Sequence, residues 1–153
     1  MKFRSLVLAC VYLASSAAMA QVPADIAAKN KEIGKVLDRA TTQKLYTPLQ
    51  QTEPYAVPGL KLRRDIPYGP SEMQKLDVFT TGGSAKPVFI YVHGGAYVGG
   101  DKAPIEGGAR SPFYDNVMLW AAKHGMVGIN INFDLAPKAT YPSVQKSIAT
   151  AIV

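Results

Sequence analysis

The spacing of apolar positions changes period several times along the chain, and each change marks an element. From Asp25 to about Leu45, the apolar residues Ile26, Ile33, Val36, Leu37 and Ala40 fall on one side of a helical projection with charged residues opposite. This predicts one amphipathic helix, with Gly34 as a weak point in its middle. Pro48, Pro54, Pro58 and Gly59 then interrupt regular structure. LKLRRDIPY and QKLDVFT each come close to alternating, and Gly69-Pro70-Ser71 between them suits a turn, so a β-hairpin is expected. Thr81 to Ser84 makes another turn, and Val88 to Val92 reads as a buried strand.

Ser111-Pro112 suits a helix start, with Ser as cap and Pro in the first turn. Phe113, Val117, Trp120 and Ala121 would form the buried side of that helix, which ends at Lys123-His124-Gly125. Met126 to Phe133 is expected to be a strand, and Tyr141-Pro142-Ser143 to introduce a helix over Val144 to Val153, with Val144, Ile148 and Ile152 on one side. A strand, a helix and a second strand in that order predict a parallel pair joined by a crossover. With the hairpin, the fold class is α/β: a mostly parallel sheet with an antiparallel N-terminal hairpin. One edge of so small a sheet would be bare, so the sequence is expected to be the front part of a larger, here incomplete, domain.

The first twenty residues change the picture of the N-terminus. Lys2 and Arg4 precede an apolar stretch from Leu6 to Ala14, and Ala18-Met19-Ala20 supplies a small-x-small ending before Gln21. This is the pattern of a secretory signal peptide and is too short to span a bilayer comfortably. An uncleaved anchor, or lipidation at the box Val7-Leu8-Ala9-Cys10, is the lesser alternative, and a secreted or periplasmic location is expected. The predicted organisation is a signal peptide at residues 1–20, a helix and linker at residues 21–59, and a partial α/β domain at residues 60–153.

Composition narrows the chemistry. The 153 residues carry a formal charge of +6. Removing Lys2 and Arg4 with the leader leaves 17 − 2 = 15 basic against 11 acidic residues, a net +4. That excess, with Arg63-Arg64 only a pair on an expected strand, gives no patch suited to nucleic acid. Cys10 is the only cysteine and lies in the leader, and the two histidines, His93 and His124, form no clustered ligand motif. Neither a disulfide, a metal site nor a cofactor is expected.

The candidate chemistry lies in HGGAYVGGDK, His93 to Lys102, directly after the Val88 to Val92 strand. In open α/β sheets, ligands bind at the carboxyl ends of strands. The segment lacks the GKS or GKT ending of a phosphate loop and the spacing of a dinucleotide turn. Glycines can also aim backbone N–H groups at the negative oxygen that develops when a carbonyl is attacked.

HGGAYVGGDK resembles the His-Gly-Gly oxyanion motif of the α/β-hydrolase superfamily, in the branch holding the hormone-sensitive-lipase-like and xylan or feruloyl esterase-like enzymes. YGPSEMQKLDVF resembles the segment ahead of that motif, and NINFDLAPKATYP resembles the family's YRLAPE and YP blocks after the next strand. Phe133-Asp134 stands where the family commonly has Tyr-Arg, so an arginine-centred salt bridge there is absent.

The resemblance implies that the backbone N–H groups of Gly95 and Ala96 are the oxyanion donors, with Gly94 a close competitor. It implies loop support from His93 and Asp101, and a place for Tyr97 in the substrate pocket or, equally, in the core. His93 is expected to act through hydrogen bonding rather than as a base, His124 to be a surface residue at a helix end, and Ser143 a cap. No GxSxG pentapeptide occurs, so the nucleophile, acid and catalytic histidine are absent from this sequence.

The function implied is the N-terminal fragment of a carboxylic ester hydrolase acting on small esters or esterified polysaccharides, although the family also includes enzymes that cleave amides. The fragment by itself is expected to be inactive, without stable membrane insertion. The alternative is a catalytically inactive product with at most a binding or interaction role.

Overall fold

The structure, a computed structural model, describes residues 22–106 and 108–152. The leader reading and Cys10 lie outside the described residues. The chain divides into two compact units, one ending at Leu45 and the other beginning at Tyr46.

The first unit corrects the expectation of a single helix. Helix α1 runs Ala24–Ile33 and α2 runs Arg39–Tyr46. Gly34, with φ 70°, closes α1 by donating its N–H to Asn30 O at 3.1 Å. A positive φ at this position breaks the helical run, and glycine adopts it without a steric penalty. Asp38 then caps α2, its Oδ1 accepting from Thr41 N at 2.9 Å. Val36 and Leu37 fall in the break and are exposed, so they form no helix face.

The second unit is built on a four-stranded mixed sheet. Its strands are β1 (Lys61–Pro67), β2 (Lys75–Thr80), β3 (Val88–Val92) and β6 (Val127–Ile131). They lie in the order β1-β2-β6-β3. The β1–β2 hairpin and the β2–β6 pair are antiparallel, while β3 and β6 are parallel with Val88 opposite Val127 and Val92 opposite Ile131. Two short strands, β4 (Ile105–Glu106) and β5 (Ala109–Arg110), pair beside the sheet. The helices are α3 (Phe113–Lys123) and α4 (Ser143–Thr150).

Alternation along the strands separates two cores. Phe79 of β2 packs with Met118, Leu119 and Ala122 of α3, and Val57 of the linker closes this side. Ile131, Phe133 and Val144 of α4 form the other cluster, joined by Ile90, Ile129 and Ile148. The sheet thus lies between α3 and α4, the layering expected when both faces must be covered.

Four sequence expectations change in detail. The residues of α3 that bury are Asp115, Met118, Leu119, Ala121 and Ala122, while Phe113 and Trp120 stay about half exposed. The helix turns its small residues inward because Gly128 brings β6 against it: a Cβ there would lie 3.0 Å from Met118 O. Trp120 instead meets the Phe89 ring of β3 edge-on with centroids 6.3 Å apart, and Phe113 meets Tyr114 of its own helix at 5.4 Å. Strand β3 is an edge among the described residues, so Val88 and Val92 are exposed rather than buried. Pro112, not Ser111, occupies the cap position of α3 and makes no side-chain cap bond. Ile152 lies beyond the end of α4 and is exposed.

Candidate functional site

The glycine segment leaves the carboxyl end of β3 and turns back on itself. Val98 N and Gly99 N both donate to Gly95 O, at 3.0 and 3.2 Å. Gly95 has φ 135° and Gly100 φ 103°, backbone states that side chains disfavour. Space makes both glycines obligatory as well. A Cβ on Gly95 would collide with the carbonyl of Gly99, and one on Gly100 would collide with Gly94 O and His93 Nδ1. Ala96 and Tyr97 follow with φ 52° and 62°, two consecutive left-handed residues that carry side chains. Such strain persists only where surrounding structure holds it, and it concentrates at functional sites.

Gly94, Gly95 and Ala96 are exposed. Their N–H groups have no acceptor among the described residues. Nothing comes within 4 Å of the Cβ position of Gly94. The arrangement offers a row of unused donors on a tightly turned backbone, able to receive an oxyanion or another small acceptor.

Buried side chains fix the base of this turn. His93 is 4% exposed, and its Nδ1 lies 2.9 Å from Gly94 O. A carbonyl only accepts, so Nδ1 is the donor in this bond. Nε2 is buried without a partner among the described residues. Asp101 bridges the other end of the loop, accepting from Ala103 N at 2.7 Å and from Asn132 Nδ2 at 2.9 Å. Tyr97 is half exposed, meets Phe133 edge-on at 6.2 Å, and accepts from Ala136 N at 2.8 Å through its carbonyl.

His124 and Ser143 are not brought to the loop's turn. His124 ends α3 ahead of the amino end of β6, the opposite end of the parallel β3–β6 pair from His93. There its Nδ1 is bonded to Trp120 O at 2.8 Å. Ser143 opens α4 and is exposed. Asp134 accepts from Ser71 Oγ and from Gln74 Nε2, tying the β1–β2 turn to the segment after β6. Ser147 joins this tie, accepting from Asp134 N at 3.2 Å.

Sequence reading missed the polar cluster beneath the loop. Asp77, 0% exposed, receives Arg64 at 3.0 Å, Lys102 at 2.6 Å and Arg110 at 3.4 Å. Asp115 receives Arg64 at 2.7 Å and the Tyr55 hydroxyl. Burial opposes the charge on Arg64, but the hydrogen bond and charge of Asp115 outweigh it, and its pKa is raised. Burial, then the bond to Asp115, likewise pushes the Tyr55 hydroxyl upward. The polar residues Asp77 and Asn130 inside strands, with Asn132 directly after β6, were the available signal. Among the described residues, no group of three His, Cys, Asp or Glu side chains could hold a metal ion. No helix among them is long and apolar enough to cross a membrane.

Comparison with models of protein families gives no match, and comparison with curated proteins gives none either. Solved structures do match. Esterase B from Lactobacillus rhamnosis aligns with a TM-score of 0.53 at 17% identity, over 84% of this chain and 36% of that one. Its form inhibited by a tributyrin phosphonate aligns with a TM-score of 0.52 at 17% identity, over 84% of this chain and 37% of that one. A putative thioesterase from Silicibacter sp. TM1040 gives 0.51 at 19% identity, over 78% of this chain and 42% of that one. The fold is that of the N-terminal portion of an α/β-hydrolase. In this α/β-hydrolase fold the glycine turn occupies the carboxyl end of a parallel strand, where such sheets place their ligands. The chain spans well under half the length of these structures.

Proposed function

We propose that the chain is the N-terminal part of a secreted or periplasmic serine hydrolase that cleaves carboxylic esters and supplies its oxyanion loop. The carrying observation is the row of exposed N–H groups at Gly94, Gly95 and Ala96, without acceptors among the described residues, on the strained turn at the end of β3. Attack on an ester carbonyl moves an electron pair onto its oxygen. Preorganised N–H donors stabilise that charge by about 3 kcal/mol each. In this reading Gly95 and Ala96 are the donors and Gly94 competes for the role. The tetrahedral intermediate then collapses, the alcohol leaves, and water releases the acid from the acyl-enzyme.

His93 and Asp101 hold the two ends of the loop in this reading, through the bonds to Gly94 O and to Ala103 N and Asn132. Tyr97, half exposed beside the donors, lines the acyl or alcohol side of the pocket. The substrate class is a small ester or an esterified polysaccharide, with an amide as the neighbouring chemistry. The leader pattern of residues 1–20 supports export. The serine, acid and catalytic histidine would come from polypeptide beyond these residues.

The second reading is a catalytically inactive product with at most a binding role, favoured by the lack of any GxSxG pentapeptide in the sequence. Sequencing the coding DNA beyond the Val153 codon separates the two. In-frame continuation to GxSxG and then Asp and His, with p-nitrophenyl acetate hydrolysis lost when that serine becomes alanine, is the expected outcome. A stop codon directly after Val153 would overturn the hydrolase reading.

A further inference from the structure

A β-bulge in β1 and the far end of the glycine loop are joined by one buried ammonium. The register of β1 on β2 shifts between Arg63 and Ile66, and Asp65 takes φ 54°. In a regular strand, Arg64 and Asp65 would point to opposite faces. The extra residue of a bulge removes that constraint and lets both enter one cluster. Arg64 reaches Asp77 and Asp115, while Asp65 Oδ1 lies 2.6 Å from Lys102 Nζ. Asp65 N donates to Asp77 Oδ1 at 2.8 Å, the same oxygen that Lys102 Nζ meets at 2.6 Å.

Lys102 is held at every polar group. Its side chain is 3% exposed between the two carboxylates, its N–H donates to the Asn132 side chain, and its C=O accepts from Asn130 Nδ2. Burying an ammonium is costly unless it is paired, and here two carboxylates on two strands pair it. Among the described residues the loop is tied by two bonds into Gly95 O, one from Ala136 N to Tyr97 O, the bond of His93 Nδ1 to Gly94 O, and the bonds of Asp101 to Ala103 N and Asn132 Nδ2. Lys102 directly follows Asp101 at the end of the return limb, so the clamp on its ammonium adds to the bonds that Asp101 makes there.

The geometry points to Lys102 as a positioning residue, clamped by Asp77 and the Asp65 bulge, that sets the conformation of the loop carrying the Gly94, Gly95 and Ala96 donors. This rests on the reading of that loop as an oxyanion cradle. A cradle stabilises charge only when its donors are held in place before reaction. The clamp transfers that rigidity from the β1–β2 hairpin, which never approaches the reacting atoms in this reading.

The test is residue-resolved amide exchange by NMR on the chain and on Asp65→Asn, Lys102→Met and the double variant. Asparagine tolerates the left-handed backbone at position 65, so Asp65→Asn removes the charge with the bulge intact. Exchange at Val98 N and Gly99 N should rise about tenfold in either single variant while Ile129 and Ile131 in β6 hold their rates. The double variant should add little to Lys102→Met. Unchanged exchange at Val98 and Gly99 in Asp65→Asn would overturn the clamp, as would acceleration in step with β6, which marks general destabilisation. The readout needs no hydrolysis, so a longer polypeptide carrying GxSxG that cleaves no ester would sink the functional reading without deciding the clamp.

Discussion

The imidazole of His93 lies over the ring of Phe133, with centroids 4.6 Å apart and planes 19° apart. The first residue of the glycine loop is therefore packed on the segment that leaves β6. Among the described residues its imidazole makes one polar bond, from Nδ1 to Gly94 O. Stacking and hydrogen bonding can be separated by substitution. His93→Phe keeps the stack, loses one bond and removes the unpartnered Nε2, so a cost of about 1 kcal/mol is expected. His93→Ala empties the site and should cost about 3 kcal/mol. Urea unfolding of both variants checks this, and equal costs would show that packing on Phe133 contributes nothing.

Ala96 has φ 52° and yet its contribution to the turn is a backbone N–H, which glycine also has. A left-handed conformation costs a side-chain residue about 1–2 kcal/mol, and glycine gives back about 0.5–1 kcal/mol in unfolded-state entropy. Ala96→Gly should thus stabilise the chain by about 0.5–1 kcal/mol. Thermal unfolding followed by circular dichroism would show a raised midpoint, and a lowered one would mean that the methyl group packs usefully.

Gly128 lets α3 approach the sheet, since an added Cβ would lie 3.0 Å from Met118 O and 3.2 Å from Met118 Cα. Backbone cannot move aside as a side chain can. Gly128→Ala should cost about 1–3 kcal/mol, the range for overpacking a filled core. Chemical denaturation measures it, and a neutral result would mean that α3 shifts freely.

The carboxyl of Asp65 is held below its ordinary value of 3.8, first by the hydrogen bond from Lys102, against partial burial, and then by the charges of Lys102 and Arg110. A depressed folded-state pKa contributes stability above the unfolded value and loses it as pH falls through the folded one. Asp65→Asn should therefore be less stable than the parent at pH 6. The difference should close in acid below pH 3.8. Urea midpoints measured across that range decide it, and a pH-independent difference would show that the bulge geometry, not the charge, was disturbed.

Much of the site was legible because its signals are local. Gly95 and Gly100 of HGGAYVGGDK are required by backbone angles and collisions within ten residues, and Asp101 caps a residue only two positions on. Lys102 looked like one more polar residue after a turn. Its partners Asp65 and Asp77 lie 37 and 25 residues away, and nothing near it in sequence announces them.

The sequence by itself determined the hairpin, strands β3 and β6, the helix between them, and the glycine turn at the end of β3. Period-2 alternation, apolar runs and glycine freedom act over a few residues and need no distant partner. The tertiary structure decided which side of α3 is buried, that β3 is an edge among the described residues, and that the bulge at Asp65 serves a lysine in the loop. Those outcomes depend on neighbours brought together only by folding, such as Arg64 and Asp115, 51 residues apart, whose charges are stable under the sheet only because each finds the other there.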